Sequence, residues 1–291
     1  MPVSPAALRF DLRSVATHAS KLPPSAQVFG RLVAAINDGN SSLDRMAELV
    51  RLDTALTSHL LRVANSALFG FRTQAGSIEE AVLRVGLKEL HRIVGLCSAS
   101  LMFRADLSLY ATDAEHLWAN SVATAVAMEK ITGFTGGDAA LAYTAGLLRS
   151  IGKMVLARHA AASAAAPAPY PKDGTPLPVW ETGLFGSNHA QVGAALCDFW
   201  RFPRGIGAAL RDHLRPVANP AAIALAHQLN LAGQICLSLG RGLPGEETLW
   251  SDDPARFDKT GLSLEQIEEL TMQTDVEVDR MRTMLELIRG G

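Results

Sequence analysis

The chain has 291 residues, 48% of them hydrophobic and 19% charged, with 27 Lys and Arg against 29 Asp and Glu and a net charge of −2. That balance supports a globular core and excludes the polar, highly charged signature of a disordered chain. The basic residues are dispersed, without the Lys/Arg clustering of a nucleic-acid-binding face, so no nucleic-acid partner is expected. One large module or two fused modules fit this length.

The first residues, MPVSPAALRFDLRSV, show no basic leader followed by an apolar stretch and a cleavage site. No apolar run reaches the roughly 20 residues of a spanning helix, so the expected location is the cytoplasm, away from the membrane. Cys97, Cys197 and Cys236 each sit in an apolar helical context without C-x-x-C spacing. They read as reduced core thiols.

In chain order, Lys21-Leu22-Pro23-Pro24-Ser25 stiffens the backbone, and Ser25 is expected to cap a helix carrying Val28, Phe29, Leu32, Val33 and Ile36. Asn37-Asp38-Gly39-Asn40 ends it with turn chemistry. Ser42 opens a second helix, and Asp53 or Thr54 a third that runs through Leu56, Leu60, Leu61, Val63 and Ala64. Asn65 to Phe71 reads as a turn, with the Asn65 amide bonding the backbone at Phe69 to Phe71 or reaching a partner. Phe69 and Phe71 flank Gly70, where they either pack on the core or anchor an interface. Ser77-Ile78-Glu79-Glu80 is a capping box for a helix that breaks at Gly86 before a second apolar stretch to Phe103.

Asp113 to Ile131 is predicted helical, with Gly133 ending it. A central helix follows over about 137–158, containing AYTAGLLRSIGKMVL at 142–156. Pro167, Pro169, Pro171, Pro176 and Pro178 predict an extended surface loop. Helical patterns resume through Trp180, Glu181, His189, Leu196 and Trp200, then Ile206 to Leu214 and Ala221 to Leu239. Gly245 to Lys259 reads as loop, and Ser263 with Gln266 caps a terminal helix reaching Ile288.

Several of these motifs together resemble the HDOD family, the HD-related output domain of bacterial signalling proteins. They are Leu22-Pro23-Pro24-Ser25, then DTALTSHLLRVANSALFG from Asp53, then SIEEAVLRVGLKEL from Ser77, with Glu181, Phe185-Gly186, His189-Ala190 and Val192-Gly193 further on. The resemblance implies an all-α, HD-like multi-helix fold: a lead at 1–21, an HDOD domain at 22–242 and a helical extension at 243–291. Within the domain, 22–105 is the expected N-terminal lobe and 106–242 a degenerate HD-like lobe. Catalytic relatives of that lobe place a His-Asp pair on the central helix; here the pair is Arg149 and Ser150. Asn120 stands where such relatives commonly have a ligand His, Asp212-His213 where they have His-His, and Asn230 where they have the closing Asp.

Only His189 and His213 of the implied ligand set remain, and two imidazoles without a bridging carboxylate make a poor hydrolytic centre. Neither catalytic residues nor metal nor cofactor are therefore expected. Asn120, Arg149, Ser150, Glu181, His189, Asp212, His213 and Asn230 mark the degenerate positions, a pocket for a small anion if it holds any ligand. Arg149 either sits inward as a substitute cation paired with Glu181 or Asp212, or lies on the surface. The resulting reading is a non-catalytic signalling module acting through protein contacts, and its alternative is a residual phosphohydrolase acting on a nucleotide or cyclic dinucleotide.

Overall fold

The computed structural model describes residues 8–21, 24–37, 42–103, 105–163, 167–171, 173–219, 221–250 and 259–289. Leu22 and Pro23 of the first motif, and Asp38 to Asn40 of the first turn, lie outside the described residues. Every regular element among the described residues is helical, the all-α class expected.

Among the described residues, five α-helices build the first half: α1 (Val15–Ala19), α2 (Pro24–Asn37), α3 (Leu43–Arg51), α4 (Thr54–Ala64) and α5 (Ile78–Met102). The oxygens of Ser42, Asp53 and Ser77 accept from free N–H groups of α3, α4 and α5, as the sequence predicts. Glu80 misses the reciprocal half of the box and accepts instead from the Gly76 N–H at 2.9 Å. Ser25 is not a cap, because α2 already begins at Pro24. At Gly86, φ is 76° and the helix kinks where a break was expected; a glycine takes this left-handed value without Cβ strain. The helices α2, α3 and α4 all pack on α5.

The second half holds α6 (Ala114–Thr135), α7 (Ala139–Leu148), α8 (Ile151–Ala161), α9 (Leu177–Phe185), α10 (His189–Phe199), α11 (Arg204–Asp212) and α12 (Ala224–Ser238). Asp113 caps α6, which continues past Gly133 and stops at Gly136. The expected central helix is two helices, α7 and α8, meeting at Arg149 and Ser150. The bonds Arg149 N–H to Gly146 and Lys153 N–H to Ser150 both span three residues. They tighten the junction and turn the two side chains off a regular helical course. Pro178 does not exclude a helix: it sits in the first turn of α9, where no intrahelical N–H is required.

The last helix, α13 (Leu264–Arg289), starts with the reciprocal Ser263–Gln266 box and packs on α4, α5 and α6. Among the described residues the main apolar core runs from Leu8 to Ile288 and includes both halves, and a small second cluster joins Ala190, Leu214, Leu249 and Trp250. Burial of such side chains at roughly 1.5–3 kcal/mol each supplies the main driving force. Cys97, Cys197 and Cys236 are free and buried within it. Among the described residues no helix is long and apolar enough to cross a membrane.

Candidate functional site

The α7–α8 junction aims Arg149 and Lys153 into the interior, where both are fully buried. Two cations removed from water require compensation. Arg149 Nη1 donates to Glu246 Oε2 at 2.8 Å, and Lys153 Nζ donates to the other oxygen, Oε1. Arg149 Nη2 donates to Asn120 Oδ1 at 2.6 Å, while Asn120 Nδ2 donates to the Arg241 carbonyl at 2.7 Å. The Trp250 ring lies 5.3 Å from the guanidinium carbon, at cation–π range. Burial alone would raise the Glu246 carboxyl, but Arg149 and Lys153 override it and hold the group well below the carboxylate range. Burial, only partly offset by Glu246, lowers Lys153.

A second carboxylate system adjoins this one. Glu181, fully buried on α9, accepts from Tyr110 Oη at 2.9 Å, from the His189 backbone N–H at 3.1 Å and from His189 Nδ1 at 2.7 Å. His189 is the first residue of α10, whose entry is set by the reciprocal Asn188–Gln191 capping box. His213 Nδ1 donates to the Leu210 carbonyl at 2.7 Å, and Asn230 Nδ2 donates to the His213 carbonyl at 2.7 Å. The two imidazole rings stand 6.1 Å apart. Burial, then Arg149 and His189, lower the His213 pKa to about 3. His213 is thus neutral, its proton on Nδ1 and a lone pair on Nε2.

Five polar atoms of this centre have no hydrogen-bond partner among the described residues: Arg149 Nε, Ser150 Oγ, His189 Nε2, His213 Nε2 and Trp250 Nε1. Such a concentration is unusual for a buried site. The fold therefore gathers Asn120, Arg149, Ser150, Glu181, His189, His213 and Asn230 as the sequence implies, with two corrections. Arg149 is not on the surface and does not pair with Glu181 or Asp212; its partners are Glu246 and Asn120. Asp212 lines an open groove of about 470 Å³ with Arg211, Arg215 and Asn188. It is the last residue of α11 and only half-buried.

Sequence reasoning missed Glu246, Lys153, Tyr110 and Trp250. Glu246 and Trp250 lie in what reads as a polar loop, yet Leu243, Glu246, Leu249 and Trp250 are all buried. The aromatic and aliphatic residues at 243, 249 and 250 were the signal that this stretch packs inward. Among the described residues, no group of three or more His, Cys, Asp and Glu is placed to hold a metal ion.

Two further residues were singled out. Asn65 does not bond the turn at Phe69 to Phe71 but clamps Ala75, with Nδ2 donating to its carbonyl at 3.1 Å and Oδ1 accepting from its N–H at 2.6 Å. Phe69 is partly buried against the core. Phe71 stacks on it with ring centroids 6.3 Å apart, carries Arg84 over its face at 5.5 Å and is 44% exposed.

Comparison with known proteins agrees with this architecture. A protein of Marinobacter aquaeolei VT8, provisionally assigned to signal transduction, superposes with a TM-score of 0.69 at 20% identity over 98% of this chain and 69% of that one. An HDOD domain protein of unknown function from Geobacter sulfurreducens gives 0.65 at 22% identity over 96% and 99%. A protein of Shewanella amazonensis SB2B, provisionally assigned as a phosphohydrolase, gives 0.65 at 22% identity over 92% and 97%. These likenesses establish the fold. An uncharacterised protein of Treponema pallidum (strain Nichols) is 28% identical over 69% of this chain, which spans 39% of that relative's length. The HDOD domain model matches residues 22–216, two thirds of the sequence and every helix from α2 to α11, and the chain belongs to the HDOD domain family.

Proposed function

We propose that this chain is a non-catalytic output module of a bacterial signalling system, located in the cytoplasm and acting through contacts with a protein partner. The observation that carries this reading is the occupancy of the buried centre by Arg149 and Lys153, both held on Glu246. A hydrolytic metal needs several lone pairs converging on it and a bound water whose pKa it can depress. Here the Glu246 oxygens are taken by the two cations, and the Glu181 oxygens by Tyr110 and His189. A guanidinium offers no lone pair, and its charge opposes that of a metal ion. The donor set does not fit a catalytic metal centre. Phe71, with Leu52 and Leu83 also exposed on the first half, supplies apolar area for a partner.

One observation favours the alternative of a residual phosphohydrolase: the unpartnered Nε2 atoms of His189 and His213. Metal analysis of the purified protein, combined with a phosphodiesterase assay on a nucleotide and a cyclic dinucleotide, separates the two. Substoichiometric metal and no turnover are expected. Stoichiometric metal with turnover abolished by His189→Ala would overturn the proposal.

A further inference from the structure

The stretch 243–250 is built as an insert. Leu243, Leu249 and Trp250 anchor it, and two glycines make room for the anchoring rings. A Cβ on Gly233 of α12 would stand 2.7 Å from the Trp250 ring, and a Cβ on Gly245 would stand 2.7 Å from the Tyr170 ring. Between these anchors Glu246 alone supplies the anionic group that Arg149 and Lys153 share. It comes from outside the family-matched span of 22–216, whereas both cations lie inside it. The cations thus lie within the matched span, and their counterion comes from beyond it.

We infer that Arg149 and Lys153 form a carboxylate receptor, that Glu246 is its tethered occupant, and that a carboxylate-bearing small molecule takes the same place when 243–250 withdraws. The geometry favours a carboxylate: each oxygen meets a different cation, one planar and forked, the other a point charge. The unpartnered Arg149 Nε and Ser150 Oγ, with the His189 and His213 Nε2 atoms, offer further contacts to polar substituents on such a ligand. The segment is tied to the last helix. Arg241, just before the insert, gives its carbonyl to Asn120 and its guanidinium to Asp275 of α13 at 2.9 Å. Occupancy of the receptor is therefore linked through the insert to α13. The inference rests on reading the centre as a binding site and not a hydrolytic one.

Acetate has the atoms that Glu246→Ala removes, from Cγ outward. In the full-length Glu246→Ala chain, acetate is expected to raise the melting temperature saturably, while acetamide and equimolar chloride are not. The rise should vanish in Arg149→Met/Glu246→Ala. Equal effects of acetamide or chloride, no effect of acetate, or a rise that survives loss of Arg149 would each overturn the inference. Should Glu246→Ala fail to fold, amide exchange on the wild-type chain decides: acetate should speed exchange at 243–250 and leave α12 unchanged, and no acceleration refutes it. A metal-dependent phosphodiesterase activity in Glu246→Ala would instead refute the non-catalytic reading, so the two failures are distinct.

Discussion

Gly152 and His189 meet backbone against backbone: a Cβ on Gly152 would stand 2.0 Å from the His189 carbonyl oxygen. This contact brings the first turn of α8, which carries Lys153, against the first turn of α10, which carries His189. The glycine between Ile151 and Lys153 thus sets the spacing of the buried charges. Gly146 does the same one turn before the junction, where a Cβ would lie 2.6 Å from Ala125 Cα on α6. Gly152→Ala forces backbone apart and is expected to cost about 3 kcal/mol or more, at the upper end for overpacking. Chemical denaturation measures the loss, and the indole fluorescence near the site should change with it.

Arg149→Met removes one cation and leaves the Asn120 oxygen and half of Glu246 without a donor. Breaking such a buried group one-sidedly is expected to cost about 3–5 kcal/mol. Replacing the whole cluster, Arg149→Met with Lys153→Met and Glu246→Leu, removes the desolvation penalty together with the attraction. It should be less destabilised than Arg149→Met alone. Thermal melts of the two variants test the order; the reverse order would mean the ion cluster is strongly net stabilising.

The neutral state of His213 makes stability depend on acid. Its folded pKa of about 3 lies below the ordinary 6.5, so the unfolded chain takes up a proton that the folded chain refuses. Stability is full above about pH 6.5 and falls as the pH drops toward 3. His91, buried and hydrogen-bonded to Thr144 at 3.0 Å, is lowered by burial to about 4 and acts in the same direction. Urea midpoints measured from pH 7.5 to 5 should decline, and His213→Gln should flatten the decline without abolishing it.

Arg92 is a hub between three helices. Its Nε and Nη2 donate to Glu129 on α6 at 2.9 and 2.7 Å, and Nη1 donates to Glu89 and to Glu277 on α13, each at 3.0 Å. The side chain is only 6% exposed, so salt screens it less than a surface pair. Arg92→Met is expected to destabilise by about 3 kcal/mol and to speed amide exchange in α13 more than in α7. Uniform acceleration would deny Arg92 a specific part in docking α13.

The sequence by itself determined the elements and most of their starts. Ser42, Asp53, Ser77, Asp113 and Ser263 act on N–H groups two or three residues away, a distance at which side-chain chemistry decides locally. It also determined which of the singled-out polar positions converge, because the motif order carries a shared fold. Tertiary structure alone decided their partners. Asn65 found Ala75 ten residues on, and Arg149 found Glu246 97 residues on. A buried cation takes whichever carboxylate the packed chain brings within reach, and no local pattern marks that meeting. The break at Arg149 and Ser150 has the same origin: propensity favoured one helix through the pair, while the demand to pair a guanidinium in the interior was set by elements far along the chain.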